Sequence, residues 1–202
     1  MKMPKTSPAR DVTEGLRERK RRQTRKAIAE TGLRLFLKNG YDETTLDEIA
    51  ATVDIARRTF FSYFESKEEL VLTGADTGFS EALLTAFSGV SPKMAPFEAV
   101  RAELPRLASQ FDSKYSIAIE DLMRSSEALR RRRQDVWVIL EQNLFEGLRA
   151  VWSDERETAL RIVAMVGIGV MRVTLDKWWR ERGKRSPSTY FREGFATLKS
   201  YV

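Results

Sequence analysis

Two short helical patterns separated by a tight connection, in residues 46–67 (LDEIAATVDIARRTFFSYFESK), constrain this chain more than any other feature. In the first, Leu46, Ile49, Ala50 and Val53 recur at i, i+3, i+4 and i+7, which draws one apolar stripe along about two helical turns. It opens on Thr45-Leu46-Asp47-Glu48, the S/T-x-x-E spacing of a capping box. The second pattern spans roughly residues 56–64. Phe60 and Phe64 share its inner face at i, i+4, and Arg57, Arg58, Phe61 and Ser62 take the outer face. Helices this short are marginal in water. Both must therefore pack on a third, and the residues before them supply one.

The outer face is the first sign of a function. Arg57 and Arg58 lie in the first turn of their helix, where the macrodipole is positive and a cation is unfavourable. Stability alone would place Asp or Glu there. An arginine pair elsewhere is by default a solvated surface pair. Here it opens the second helix of a helix-turn-helix, beside an aromatic, Phe61, that packing does not require. Those positions reach base edges in the major groove.

At these residues the stretch resembles the TetR family of transcriptional regulators. The resemblance rests on Thr44-Thr45, Ile49-Ala50, Thr59-Phe60, Tyr63-Phe64 and Ser66-Lys67-Glu68-Glu69-Leu70, all at the family's spacing, and covers about residues 17–72. The turn carries Asp54 where the family usually has Gly, and Asp tolerates the left-handed backbone such a turn needs. Ala56 replaces a frequent Ser or Thr, and Arg58 a frequent small residue, so the resemblance does not transfer an operator sequence. It implies base contacts from Arg57, Arg58, Thr59 and Phe61, and phosphate contacts from Thr45, Ser62, Tyr63, Lys67, Arg21 and Arg22. Arg57-Arg58 followed by Thr59-Phe60-Phe61 also looks like a subgroup associated with acyl-CoA-type ligands.

Composition narrows the alternatives. The 202 residues are 42% hydrophobic and 32% charged, as in a soluble, mostly helical protein. Neither cysteine nor histidine is present, which removes disulfides, His-based zinc sites and Ser-His-Asp or Cys-His nucleophiles together. No Gly-rich phosphate loop stands in for them, so neither an enzyme, a cofactor nor a metal is expected. The net charge of +6 is unevenly placed: Arg17, Arg19, Lys20, Arg21, Arg22, Arg25 and Lys26 are opposed only by Glu18. Beside a helix-turn-helix this reads as a phosphate-seeking arm. No signal peptide fits, and the most apolar stretch, residues 162–173, is interrupted by Gly167, Gly169 and Arg172 and is too short to span a bilayer. A cytoplasmic protein without a membrane partner is the expectation.

In chain order, residues 1–16 are expected to be a disordered arm. A helix over residues 17–38 turns Ile28, Gly32, Leu35 and Phe36 inward and stops at Asn39-Gly40. A capping box at Ser66-Lys67-Glu68-Glu69 opens a linking helix over residues 66–88. Beyond the breaker-rich residues 89–96, every pattern is helical: residues 97–109, with Pro105 bending or breaking them; 116–124; 136–152; and 154–181, opened by Ser153-Asp154-Glu155. A last helix begins at Ser186-Pro187. The run Arg130 to Arg133 reads as a solvated helix start.

The expected fold is all-α with about nine helices: a three-helix DNA-binding domain (residues 17–65) and a helical effector-binding and dimerisation domain (66–202). The helix over residues 154–181 is apolar on nearly all sides in its middle, so a second subunit is expected to cover it. The resemblance implies likewise that the last two helices pair across a two-fold axis. The expected interface is Ile162, Met165, Val166, Gly169, Val170, Val173, Phe191, Phe195 and Leu198. The candidate pocket walls are Phe111, Leu122, Met123, Trp137, Leu140, Glu141, Leu144, Met171, Leu175 and Trp178, and their aromatic and Met-rich character suits an apolar effector. The leading reading is a homodimeric repressor released from a palindromic operator in double-stranded DNA by a small apolar ligand. The alternatives are a DNA binder without effector, and a helical enzyme or lipid carrier using Glu120, Asp121 and Glu141. That last reading leaves the helix-turn-helix faces unexplained.

Overall fold

A computed structural model describes residues 15–75, 78–110 and 113–201. The expected arm falls almost wholly outside these residues, as does the side chain of Phe111. Among the described residues there are ten α-helices and no strand: α1 (Leu16–Asn39), α2 (Leu46–Thr52), α3 (Arg57–Phe60), α4 (Lys67–Ala75), α5 (Phe79–Thr85), α6 (Pro96–Ala108), α7 (Ser113–Ser125), α8 (Glu127–Arg149), α9 (Glu157–Arg180) and α10 (Pro187–Lys199).

The first four helices form a head around Ile28, Leu33, Phe36, Ile49, Phe60, Phe64 and Leu70, all buried. The Thr45 hydroxyl oxygen accepts the Glu48 N–H at 3.1 Å and caps α2. The Glu48 carboxylate does not close the box; it accepts from Asn39 Nδ2 at 3.0 Å and ties α2 to the end of α1. Asp54 takes the left-handed turn at φ 56°, as its place in the motif requires. The α-helical part of the recognition element is shorter than predicted, residues 57–60 in place of 56–64. The Ser62 and Tyr63 N–H groups bond three residues back, to the Thr59 and Phe60 carbonyls at 3.1 and 2.9 Å, and the Ser62 hydroxyl also donates to the Thr59 carbonyl. The last turn is thereby tightened.

Two further elements depart from their predicted extents. The linking helix is two helices, α4 and α5, and Gly78 at φ 91° stands as the N-cap of the second. The helix predicted from residue 154 begins at Glu157. Just before it, Trp152 is buried and its indole N–H donates to the Pro92 and Met94 carbonyls at 3.1 and 3.0 Å. The chain is pinned there in a turn before a new helix can start. Pro105 does not break α6, which runs through it with its buried side packed on α9 and α10.

The body core gathers Val100, Leu104, Leu144, Leu148, Ala164, Ile168 and Phe195. Phe191 and Phe195, predicted at a subunit interface, lie in this core instead, each 1% exposed. They are on the inner side of α10, which approaches α9 closely because residue 194 is glycine: a Cβ there would stand 2.3 Å from Thr174 Cγ2. The α9 helix has 24 residues, and an 18-residue window within it has a mean hydropathy of 1.6, long and apolar enough to cross a bilayer, which the predicted 162–173 stretch was not. One of its faces packs within the chain through Leu160, Ala164, Ile168, Met171 and Trp178. The other leaves Ile162, Met165 and Val173 exposed by 50%, 53% and 67%.

Head and body share apolar contacts. Leu122 and Met123 of α7 and Leu129 of α8 are buried in the head's cluster. Ion pairs knit the α7–α9 side: Arg124 reaches Glu120 at 2.7 Å and Asp176 at 2.8 Å, with its guanidinium 3.8 Å from the Trp179 ring centre. Asp121 accepts from Trp179 Nε1 at 2.8 Å and from both terminal nitrogens of Arg182. The Arg182 hydrogen bonds, with that of Trp179, hold the Asp121 carboxyl below its usual range. Glu120 and Asp121 are thus bound up in ion pairs, which removes the basis for reading them as catalytic acids. In the four-arginine run, Arg130, Arg131 and Arg132 are exposed, but Arg133 turns inward to Glu120 at 2.5 Å.

Candidate nucleic-acid interface

The α3 surface carries its polar and aromatic groups outward because Phe60 and Phe64 consume the inner face. Arg57 and Arg58 are exposed, Phe61 is 48% exposed with its ring edge-on to Phe60, and Thr59 is half-buried. Arg57 is not loose: its guanidinium donates to Asp47 Oδ2 at 2.7 Å, an exposed pair reaching back to the first turn of α2. Among the described residues Arg58 has no ion pair of this kind to aim it, and it stands beside Arg57 at the head of the helix.

Beside α3 lies a groove of about 600 Å³ lined by Leu16, Arg17, Lys20, Arg21, Thr24, Ser62 and Tyr63. Its charged residues are all cations. The Arg21 guanidinium donates to the Ser62 carbonyl at 3.2 Å, which holds the start of α1 against the end of the recognition element. One turn on, Arg25 donates to the Tyr63 carbonyl at 3.3 Å and to Glu69 at 2.7 Å, and lies 4.5 Å from the Phe64 ring centre. Three of the predicted phosphate contacts, Arg21, Ser62 and Tyr63, therefore meet in one place. Arg17 and Lys20, read in the sequence as part of the phosphate-seeking arm, join them, as does Thr24, which was not singled out. Their signal is present in the sequence: residues 17, 20, 21 and 24 fall on one helical face, a spacing hidden by the run of neighbouring cations.

The other predicted phosphate contacts sit apart from that groove. Thr45 is exposed but its oxygen already caps α2. Lys67 is half-buried; its ammonium donates to the Tyr41 carbonyl at 2.6 Å and lies 4.4 Å from that ring's centre. The phenol of Tyr41 donates in turn to Glu68, and burial together with that carboxylate pushes its pKa well up. These contacts account for a cation at the start of α4 within the protein itself. Arg22 faces the other way, into a cleft between head and body.

That cleft, about 940 Å³, opens between α1 and α4 on one side and α7 and α8 on the other. Of the predicted pocket walls it takes Met123, Trp137 and Leu140. The rest are dispersed. Leu122 belongs to the head's cluster; Leu144 and Met171 are enclosed in the body core, with Leu175 at its edge. Trp178 is buried and donates to the Arg185 carbonyl, and Glu141 is half-buried on α8. Helical spacing grouped these residues by face without showing which faces leave a space. Among the described residues, no three His, Cys, Asp or Glu side chains are grouped to hold a metal ion.

Comparison with known proteins follows the same division. Residues 28–73 match the family model for bacterial regulatory proteins of the tetR family. The chain is 44% identical over 96 residues to the HTH-type transcriptional regulator TcmR of Streptomyces glaucescens, a match spanning 46% of this chain and 42% of that protein. Matches to curated relatives thus span less than half of their length. Among solved structures, the chain resembles Thermus thermophilus FadR, a TetR-family transcriptional repressor, in complex with lauroyl-CoA, with a TM-score of 0.57 at 19% identity over 86% of this chain and 92% of that one. It resembles NalD, the secondary repressor of the MexAB-OprM multidrug efflux pump in Pseudomonas aeruginosa, with a TM-score of 0.57 at 16% identity over 90% and 96%. The head thus matches the tetR family of bacterial regulatory proteins over residues 28–73, and the all-helical fold of the chain is similar to that of solved TetR-family regulators.

Proposed function

We propose that this protein is a cytoplasmic, homodimeric repressor that binds a palindromic operator and leaves it when a small apolar ligand binds. Residues 17–65 read the DNA, and residues 66–202 dimerise and take the effector. The observation that carries this reading is the exposed set Arg57, Arg58 and Phe61 on one face of the head, flanked by a groove whose only charges are positive. Arginine is suited to bidentate contact with guanine and an aromatic to a thymine methyl, while the groove suits a phosphate. The exposed apolar stripe of α9 supports a two-fold partner. The likeness to a repressor holding lauroyl-CoA supports an effector with an apolar part. Selection of bound duplexes from a random library tests the reading. The expected product is a palindrome whose half-sites lie roughly 34–36 Å apart. Enrichment of no sequence, or of a site without two-fold symmetry, would overturn it.

A further inference from the structure

We propose that the head–body cleft is the effector site, and that it selects a compact, largely apolar molecule of low net charge bearing an oxygen acceptor. The inference rests on the reading above that an effector exists. At about 940 Å³ the cleft is of a size that encloses a small organic molecule. Ile119, Met123, Val136, Trp137 and Leu140 give it an apolar side built from α7 and α8.

The charges around it select against anions. Arg25 is paired with Glu69 at 2.7 Å, Lys26 with Glu30 at 3.7 Å and Arg133 with Glu120 at 2.5 Å. Arg22 and Glu81 complete the lining, so four cations meet four carboxylates. A polyanion such as a coenzyme A thioester would meet no surplus of positive charge. Its phosphates would have to displace carboxylates already in place, leaving these without partners.

Trp137 supplies the polar requirement. Its indole Nε1 is, among the described residues, the buried side-chain nitrogen or oxygen that lacks a hydrogen-bond partner. Trp137 lines the cleft and buried donors are nearly always satisfied, so a ligand oxygen that reaches this N–H would satisfy it. The site also has a route to DNA. Its opposite walls belong to the head and to the body, so a ligand that fits only one spacing of α1 and α4 from α7 and α8 favours one head position.

Two fluorescent probes test this with the full chain: prodan, an uncharged naphthalene ketone, and anilinonaphthalene sulfonate, an anion of comparable size. Prodan should bind saturably and at least about tenfold more tightly than the sulfonate, a difference of about 1.4 kcal/mol. Val136→Trp, which fills the cleft from a half-buried position, should abolish prodan binding without loss of duplex binding. Ile139→Glu, at an exposed lining position, should weaken it in the same way and serves if the first variant fails to fold. Trp137→Phe should weaken prodan roughly three- to tenfold, as loss of one hydrogen bond does, and shift its bound emission to the blue. Prodan should also release the selected duplex. Prodan binding untouched by the Val136 and Ile139 changes would overturn the location. Equal or tighter sulfonate binding would overturn the charge selection, and unchanged emission in Trp137→Phe would overturn the hydrogen bond. Prodan held in the cleft with no effect on the duplex would overturn the effector role. If no duplex is bound at all, the regulator reading falls, and the probe results judge the cleft by themselves.

Discussion

Arg57 and Arg58 are neighbours in sequence but differ in what aims them. Arg57 is held by Asp47, an exposed pair of a kind worth about 0–1 kcal/mol to stability. Its value is in orientation. Asp47→Asn should leave the melting temperature nearly unchanged, tighten binding to every duplex by removing a negative charge, and narrow the gap between cognate and random sites. A preserved gap would mean that Asp47 does not position Arg57. Arg58→Ala should cost about 1–3 kcal/mol on the selected operator and relax preference at one base pair per half-site. A uniform loss across a sequence library would assign Arg58 to phosphate. Lys67 has two duties in this reading, since its amine is already on the Tyr41 carbonyl and beside its ring. Lys67→Ala should therefore lower the melting temperature and also reduce the salt slope of DNA binding by about one contact. An unchanged slope would leave it a purely internal role.

Among the elements, the helix-turn-helix was the most legible. Leu46, Ile49 and Ala50 mark α2 by period, Asp54 marks the turn, and Phe60 and Phe64 mark the inner face of the next segment, so local rules agree. The division of α4 from α5 was not legible, because one glycine in a helical pattern costs only about 1 kcal/mol and is often tolerated. The inner face of α10 shows the complementary difficulty. Phe191 and Phe195 announce a buried stripe, but period alone cannot say whether the cover is the same chain or another. The cleft was illegible for a similar reason: it is a space between faces, and only Met123, Trp137 and Leu140 of the expected walls border it. On the α7–α9 side, Asp121 offers a test by pH. Its Arg182 and Trp179 hydrogen bonds depress its pKa below the ordinary 3.8. The stability this carboxylate contributes is therefore present above that value and lost as pH falls through its lower folded value. Asp121→Asn should melt earlier than the parent at about pH 7, and the two should converge as pH falls from there through the lowered folded value. A constant difference across that range would show that the ion pair is not the source.

For the whole molecule, the decisive element is α9. A Cβ at Gly169 would meet nothing within 4 Å, whereas one at Gly167 would stand 2.8 Å from Val100 Cγ1. Gly169→Glu should thus leave the single chain folded but place a charge on the proposed two-fold seam. Sedimentation should show a folded monomer that binds the operator far more weakly, because one head buries too little DNA. An intact dimer would move the interface elsewhere. The molecule also limits how its parts can be exchanged. The apolar cluster of the head is completed by Leu122, Met123 and Leu129, which come from beyond residue 120. A chimera made by grafting residues 15–75 onto a foreign body would bring Ile28, Phe64 and Leu70 but leave three of their neighbours behind. The transplantable unit is therefore discontinuous: the head together with the α7–α8 corner. A graft that omits that corner should inherit the operator preference only if its new host offers apolar side chains of similar volume at the same place.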